Sequence, residues 1–256
     1  MNVDLIHGIQ ATLRIKKSAI DRGADIVGIA DLGLLRGIPT NPANLLEGFT
    51  MAISVGVRLN DSVLDRIEDR PIPSYAHSHR MANTLLDLIT FDLAREIIKA
   101  GYDAIPVPAS EAASIAERLD TKAASELDWG PLTSSTLPSK AVARAAGLGW
   151  FGKSLLIVNP EIGPRFRHAS VITNMPLTPD TPLKSRCGTC EECVRACPAS
   201  AIRGLSFDGI PPPREEVLDF PRCRDTLWLK FKNIPGVGYP ICGVCMTVCP
   251  WGKKKK

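Results

Sequence analysis

The sequence predicts an α/β protein of the α+β kind, in which a mixed sheet covered by helices occupies residues 1–180. A small cysteine-rich domain is predicted to follow in residues 181–256. Strand-like and helix-like segments follow one another without strict β-α-β alternation, which favours a partly antiparallel sheet. All eight cysteines lie beyond the proline-rich stretch 175–184, so they mark a separate unit.

The first half of the chain alternates predicted helices with buried strands. Apolar residues at helical spacing predict a helix over 9–23, and the apolar run at 24–30 predicts a strand. A loop rich in glycine and proline leads to a second strand at 51–59. The longest predicted helix covers 74–101, because its apolar positions share one face and a glycine ends it. Residues 102–110 then predict a third strand.

The remainder of the first domain predicts two more helices and a hairpin. One helix is predicted over 110–124 and a short one over 137–150, with Pro138 near its start. Residues 153–174 predict two strands joined by a turn at 159–164, which would form a β-hairpin. Arg165 and Arg167 alternate with Phe166 in this segment, so we expect both arginines on a solvent-exposed face.

Composition excludes several classes of protein. The chain is 45% hydrophobic and 23% charged, as ordinary globular proteins are. Its apolar runs are shorter than the roughly 18 residues that a membrane span requires, and its first residues lack a leader pattern. We therefore expect a cytoplasmic protein without a membrane partner. Because Lys253–Lys256 supply the whole net charge of +4, nucleic acid is not an expected partner.

The eight cysteines form two runs of similar spacing. The first run reads C-x2-C-x2-C-x3-C-P and the second reads C-x18-C-x2-C-x3-C-P. A disulfide framework suits small secreted domains and zinc suits two separated pairs, whereas two 4Fe-4S cubanes account for every cysteine. In the bacterial two-cluster arrangement, the cysteine before the proline crosses to the other cluster. The predicted ligands are Cys187, Cys190, Cys193 and Cys249 for the first cluster, and Cys197, Cys223, Cys242 and Cys245 for the second cluster.

The motif GLGWFGK is a candidate cofactor-binding loop. Its three glycines let the backbone approach a bulky flat cofactor, with two aromatic walls and a lysine beside it. The alternative is that the glycines only end a helix and the tryptophan lies in the core. The candidate cofactor contacts, with a strand histidine added, are Gly147, Gly149, Trp150, Phe151, Gly152, Lys153 and His168.

The stretch AGLGWFGKSLLIVNPEIGP, together with the two cysteine runs, resembles the iron–sulfur reductases related to epoxyqueuosine reductase, which are similar to reductive dehalogenases. The resemblance implies a nitroreductase-like sheet domain followed by a bacterial two-cluster ferredoxin-like domain. It implies that electrons from a donor such as ferredoxin or flavodoxin pass through both clusters to a corrinoid (cobalamin) for a reductive reaction. Two alternatives are a non-enzymatic electron-transfer or corrinoid-activating protein, and a flavin-bound reductase on the same fold.

The candidate proton donors are Asp128, Tyr75, His77 and His79. Asp128 stands in LDWGP, which resembles the setting of the family's acidic residue but lies further from AGLGW. The other three lie where the family has a basic and aromatic sequence entering a helix, and the two histidines would point in different directions there. The shifted Asp128, and a chain that stops soon after CPWG, lead us to expect a small molecule or a corrinoid protein as substrate or partner. The family resemblance keeps tRNA open.

Overall fold

A four-stranded antiparallel sheet lies at the centre of the computed structural model, which describes residues 3–109, 136–209 and 212–253. The strands are β1 Ile26–Asp31, β2 Met51–Arg58, β3 Ala104–Val107, β4 Trp150–Phe151, β5 Ile157–Val158 and β6 Phe166–Thr173. The sheet has the order β1-β2-β6-β3, and β4 pairs separately with β5. The predicted α+β class is confirmed.

Helices cover both faces of the sheet. In the described ranges they are α1 Val3–Asp21, α2 Asp61–Leu64, α3 Pro73–Lys99, α4 Ser139–Ala145, α5 Glu192–Arg195, α6 Arg214–Val217, α7 Phe220–Asp225 and α8 Val244–Thr247, with a 3-10 turn at Leu32–Leu35 and a π-helical turn at Thr226–Phe231. None of these helices combines the length and apolar character that a bilayer crossing requires.

The hydrophobic core lies on the two faces of the sheet. On one face, Leu86 and Leu93 of α3 pack with Val171 of β6. On the other, Val142 of α4 packs with Ile172 of β6. Because each such side chain stabilises the fold by about 1.5–3 kcal/mol when buried, the long central strands and α3 hold the domain together.

Helix α3 is the longest helix that the sequence predicts, and its limits follow from local chemistry. Pro73 stands at its first turn, where the missing N–H removes no helical hydrogen bond. Gly101 follows its end with a φ of +89°, a conformation that glycine adopts without a steric penalty. The helix therefore begins and ends within two residues of the predicted limits.

The predicted hairpin over 153–174 is wrong, although its turn forms. Asn159 and Gly163 exchange two backbone hydrogen bonds of 3.0 Å. However, β5 turns back to pair with β4, while β6 pairs with β2 and β3. Since β6 is buried along almost its whole length, its backbone groups need partners, and β2 pairs with all eight of its residues whereas β5 has only two. The predicted helix over 110–124 lies outside the described residues.

The prediction that Arg165 and Arg167 face solvent is also wrong. Arg165 is only 1% exposed and forms ion pairs with Asp61, at 3.0 Å, and with Asp65, at 2.8 Å. Arg167 is half-buried, and its Nε donates a hydrogen bond of 3.0 Å to Asn83 Oδ1. Alternation in the sequence cannot reveal this, because the cysteine-rich region and α3 cover what would otherwise be a solvent face.

Candidate metal centre and cofactor site

Three segments of the C-terminal region carry the eight cysteines, which are all half-buried free thiols. Cys193 lies in α5 and Cys245 in α8, and these two short helices pack against each other. Cys223 lies in α7. The two runs that are separate in the sequence therefore meet in space.

The thiols predicted to bind the first cluster lie close enough together to perturb one another. Burial, with smaller contributions from the nearby Cys187, Cys193 and Cys190, raises the pKa of Cys249 to about 11, while the backbone N–H of Trp251 opposes the increase. Burial also raises the pKa of Cys193, to which Cys187 and Cys190 contribute. Cys249 is the last cysteine of the second run, yet the three thiols that perturb it belong to the first run.

The thiols predicted to bind the second cluster form a group of the same kind. Burial raises the pKa of Cys242 to about 12, with smaller contributions from Cys223 and Cys197, while the backbone N–H of Val244 opposes the increase. Burial raises the pKa of Cys245 well above its usual value, and Cys242 and Cys223 add to this. The thiols of this group lie on both cysteine runs.

Both donor sets fit a 4Fe-4S cubane. Burial raises these pKa values because it destabilises the charged thiolate. Iron binds the thiolate and removes the thiol proton, so coordination would compensate for that cost. The backbone N–H of Ala201 also points to Cys197 Sγ at 3.4 Å, and hydrogen bonds of this kind help to set cluster potentials. In the described ranges no three His, Cys, Asp or Glu side chains converge on a single ion. The four thiolates of a cubane bind four different irons, so they need not converge.

A cleft runs between the GLGWFGK motif and the cysteines of the first cluster. Its lining residues are Gly152, Lys153, Ser154, Val158, Cys187, Cys190, Glu192, Cys193, Cys245, Cys249, Pro250 and Trp251. The motif therefore borders the first cluster's cysteines.

Two glycines of the motif have packing roles. Gly147 ends α4 with a φ of +70°, and its N–H donates a hydrogen bond of 3.0 Å to the Arg144 carbonyl. A Cβ at Gly149 would lie only 2.3 Å from the Val158 carbonyl oxygen, so the pairing of β4 with β5 requires glycine there. The alternative that these glycines serve the fold accounts for both of them, and their contact with a cofactor stays a prediction.

The two aromatic residues of the motif are buried. Trp150 is 1% exposed and meets the ring of Trp251 edge-on, with 5.0 Å between ring centroids. Phe151 packs against Phe207. Since Trp251 follows Cys249 by two residues, these contacts fix the first cluster's crossing cysteine against the sheet domain.

A buried group of polar side chains borders the second cluster's cysteines. A Cβ at Gly243 would lie 2.9 Å from the ring of Tyr75, so this tyrosine of α3 touches the loop between Cys242 and Cys245. The ring of His79, one turn later in α3, lies 5.9 Å from that of Tyr75. Burial raises the pKa of Tyr75, which therefore keeps its proton at neutral pH.

Within the described residues, the sheet edge beside this polar group is only partly covered by a strand. Strand β3 pairs only with the second half of β6, so the first half, which carries Arg167 and His168, has no described strand on that edge. Lys140 of α4 is exposed, and desolvation of its ammonium by the surrounding protein, then the charges of Arg214 and Arg167, lower its pKa to about 8. No local pattern in the sequence marks Lys140.

The two histidines of this region are neutral at physiological pH. Burial, and then Arg167, lower the pKa of His79 to about 2. Burial, then Arg167 and Lys140, lower that of His168 to about 3. The Nδ1 atom of each is buried and has no hydrogen-bond partner among the residues that the structure describes. The other candidate proton donors lie elsewhere, since His77 is exposed on α3 and Asp128 falls outside the described residues.

Acid is expected to destabilise the protein through these histidines. Between about pH 3 and 6.5 the unfolded chain binds protons at His168 that the folded chain does not bind, so stability rises with pH in this window. His168→Gln should reduce the slope of the unfolding free energy between pH 5 and 6 by up to about 1.4 kcal/mol per pH unit. Urea titrations followed by tryptophan fluorescence would measure it. His77→Gln is the exposed control, and equal slopes in both variants would contradict the prediction.

Comparison with known proteins supports the cluster assignment. Residues 186–252 match the family described as 4Fe-4S double cluster binding domain. The epoxyqueuosine reductase of Listeria monocytogenes is 35% identical over 138 residues, which are 54% of this chain and 34% of that protein. The epoxyqueuosine reductase of Vibrio cholerae is 27% identical over 95% of this chain and 68% of its own length. The match to the Listeria protein thus covers about a third of that relative.

Solved structures share the fold across nearly the whole chain. A catabolic reductive dehalogenase in complex with 3-bromo-4-hydroxybenzoic acid has a TM-score of 0.70 at 19% identity, over 96% of this chain and 32% of its own. Another reductive dehalogenase structure is described with a mechanism for B12-dependent dehalogenation. An epoxyqueuosine reductase with a modified tRNA-Tyr stem loop has a TM-score of 0.57 at 22% identity, over 95% of this chain and 65% of its own. The resemblance of this chain to the epoxyqueuosine reductase-like iron–sulfur proteins is therefore confirmed.

Proposed function

We propose that the protein is a cytoplasmic iron–sulfur oxidoreductase that passes electrons through two 4Fe-4S clusters to a corrinoid-type cofactor in the sheet domain. The observation that carries the proposal is the proximity of thiols from the two cysteine runs: Cys249 is perturbed by the thiols of the first run, and Cys242 by Cys197 as well as by Cys223. Residues 181–256 would hold the clusters and residues 1–180 the cofactor. When bound, a corrinoid supplies a low-valent cobalt centre for reductive chemistry.

The positions of the two groups suggest the direction of electron flow. All four predicted ligands of the first cluster line a cleft, whereas Cys245 alone represents the second cluster there, so a donor such as ferredoxin or flavodoxin would reach the first cluster. Tyr75 touches the loop that carries Cys242 and Cys245, so the second cluster would face the cofactor. We therefore place electron entry at the first cluster and electron delivery at the open end of the sheet.

The side chains at the open end of the sheet fit a cofactor with amide groups. The Nδ1 atoms of His79 and His168 are buried, lack a partner in the described part of the chain, and would accept hydrogen bonds from such amides. Lys140 and Arg167 add positive charge beside them. Tyr75 is 3% exposed and lies next to the loop between Cys242 and Cys245. Its hydroxyl would donate the proton that the reduced product takes up. The loop GLGWFGK would hold the cluster domain in place, and Asp128 remains a candidate proton donor.

The substrate that we propose is a small molecule or the corrinoid of another protein. One structural neighbour contains a modified tRNA stem loop and another a bromohydroxybenzoic acid, so the shared fold accommodates substrates of very different size. Because the body of this chain is electrically balanced outside its lysine tail, it lacks the excess charge that favours nucleic acid.

Anaerobic reconstitution with iron and sulfide tests the proposal. About eight irons per chain are expected, as two cubanes require, and four or fewer would contradict the two-cluster assignment. Hydroxocobalamin should then bind with a change in its visible spectrum, and His168→Ala should weaken this binding at least tenfold while the exposed control His77→Ala leaves it unchanged. Flavin binding instead would indicate the flavin reductase, and binding of neither would indicate the electron-transfer protein.

A further inference from the structure

Lys153 is a buried cation on the wall of the cleft that borders the first cluster's cysteines. Its side chain is 8% exposed, and it shares the cleft with Cys187, Cys190 and Cys249. Lysine is seldom buried this deeply, because an ammonium group loses several kcal/mol of hydration unless an opposite charge replaces it.

No carboxylate supplies that opposite charge in the part of the chain that the structure describes. Among the described residues none lies within 4 Å of the Lys153 ammonium, in contrast to Arg165, which is even more deeply buried and has two aspartates. Glu192, which lines the cleft, pairs with Arg195. The groups of opposite charge that remain among the described lining residues are the thiolates that would bind the first cluster, together with that of Cys245.

A cubane with its four thiolates carries a net charge of about −2 when oxidised and about −3 when reduced, and this charge is one of the factors that set its potential. A nearby ammonium attracts the reduced state more strongly than the oxidised state. Trp251 and Pro250 also line the cleft, so the attraction is screened less than between two exposed charges.

We propose that the Lys153 ammonium is the counter-charge of the first cluster and raises its reduction potential, making this cluster the acceptor of the donor's electron. The inference rests on the proposed two-cluster function. The step moves one electron from a reduced ferredoxin or flavodoxin to the first cluster, with no bond made or broken and no proton transferred. The lysine therefore positions charge and takes no part in the chemistry.

Potentiometric titration of the reconstituted full chain, followed by electron paramagnetic resonance, tests this role. In Lys153→Gln the equilibrium constant for reducing the first cluster should fall about tenfold, which for one electron is 59 mV towards more negative potential. Lys153→Arg should stay within about twofold of the unchanged protein, because it keeps the charge. The second cluster should keep its potential in both variants. A Cys249→Ala protein identifies which signal belongs to the first cluster.

The control variants distinguish the loss of the positive charge from the loss of side-chain packing at position 153. Lys99→Gln removes one exposed charge at the end of α3 and should shift neither potential. If Lys153→Gln and Lys153→Met both lose the first cluster while Lys153→Arg retains it, the need for a counter-charge is supported. Loss in all three variants, or unchanged potentials in Lys153→Gln with about eight irons bound, would overturn the proposal. Four irons or fewer in the unchanged protein would instead contradict the two-cluster function.

Discussion

Replacing Cys249 with alanine is expected to remove the first cluster and leave the second intact, while replacing Cys245, four residues earlier, should do the reverse. The neighbours that perturb Cys249 are Cys187, Cys193 and Cys190, whereas Cys245 is perturbed most by Cys242. Each variant should retain about four of eight irons, because a cubane missing one of its thiolate ligands is not held. Iron analysis with electron paramagnetic resonance of the reduced protein would identify the cluster that remains.

Cys223 provides an independent check of the same crossing pattern. It lies apart from the other cysteines in the sequence, and its neighbouring thiol is Cys197. Cys223→Ala should therefore give the same spectrum as Cys245→Ala. If Cys249→Ala and Cys245→Ala both lost the second cluster, each run would serve its own cluster and the crossing assignment would be wrong.

Gly163→Ala is expected to break the junction between the sheet domain and the cysteine-rich region. Gly163 has a φ of +61°, and a Cβ there would lie 1.9 Å from the carbonyl oxygen of Trp251. Backbone strain and overpacking together should lower the unfolding free energy by about 3 kcal/mol or more. Because Trp251 is two residues from Cys249, the first cluster should be lost before the second. Urea denaturation and iron content would measure both effects.

Gly37→Ala is the matched control for this substitution. Gly37 also has a positive φ, of +83°, but a Cβ there would meet no atom within 4 Å. Its replacement should therefore cost only the backbone strain, about 1–2 kcal/mol, and both clusters should remain. Equal effects of the two variants would show that conformation, and not the close approach of Trp251, makes glycine necessary at position 163.

Local patterns in the sequence were enough to predict most of the fold. The long helix α3 and strands β1, β2 and β3 follow from apolar periodicity and from glycine and proline at their limits. The cysteine spacing reflects a tight loop around a cluster, so it is visible within a dozen residues. The residues 186–252 that match a double-cluster family contain this pattern.

Features that depend on distant parts of the chain were not predictable from local patterns. The pairing of β5 with β4 depends on the close approach of Gly149 to Val158, and the burial of Arg165 depends on the aspartates at the start of α2 and just after its end. Lys140 reaches the polar group beside the second cluster because α4 crosses the sheet there. Periodicity identifies which face of an element is apolar, but it does not reveal which other elements cover that face.

The proposed exchange of cysteines between the two runs would also constrain when the clusters can be assembled. With these ligands, neither cluster could be completed until the ribosome had delivered the second run, and the first would have to await Cys249. At about 5–20 residues per second, the stretch from Cys187 to Cys249 takes roughly 3–12 seconds to synthesise. During that time the thiols of the first run have no iron to protect them from oxidation. Assembly of the clusters must therefore follow translation of both runs, onto a sheet domain whose chain has already emerged.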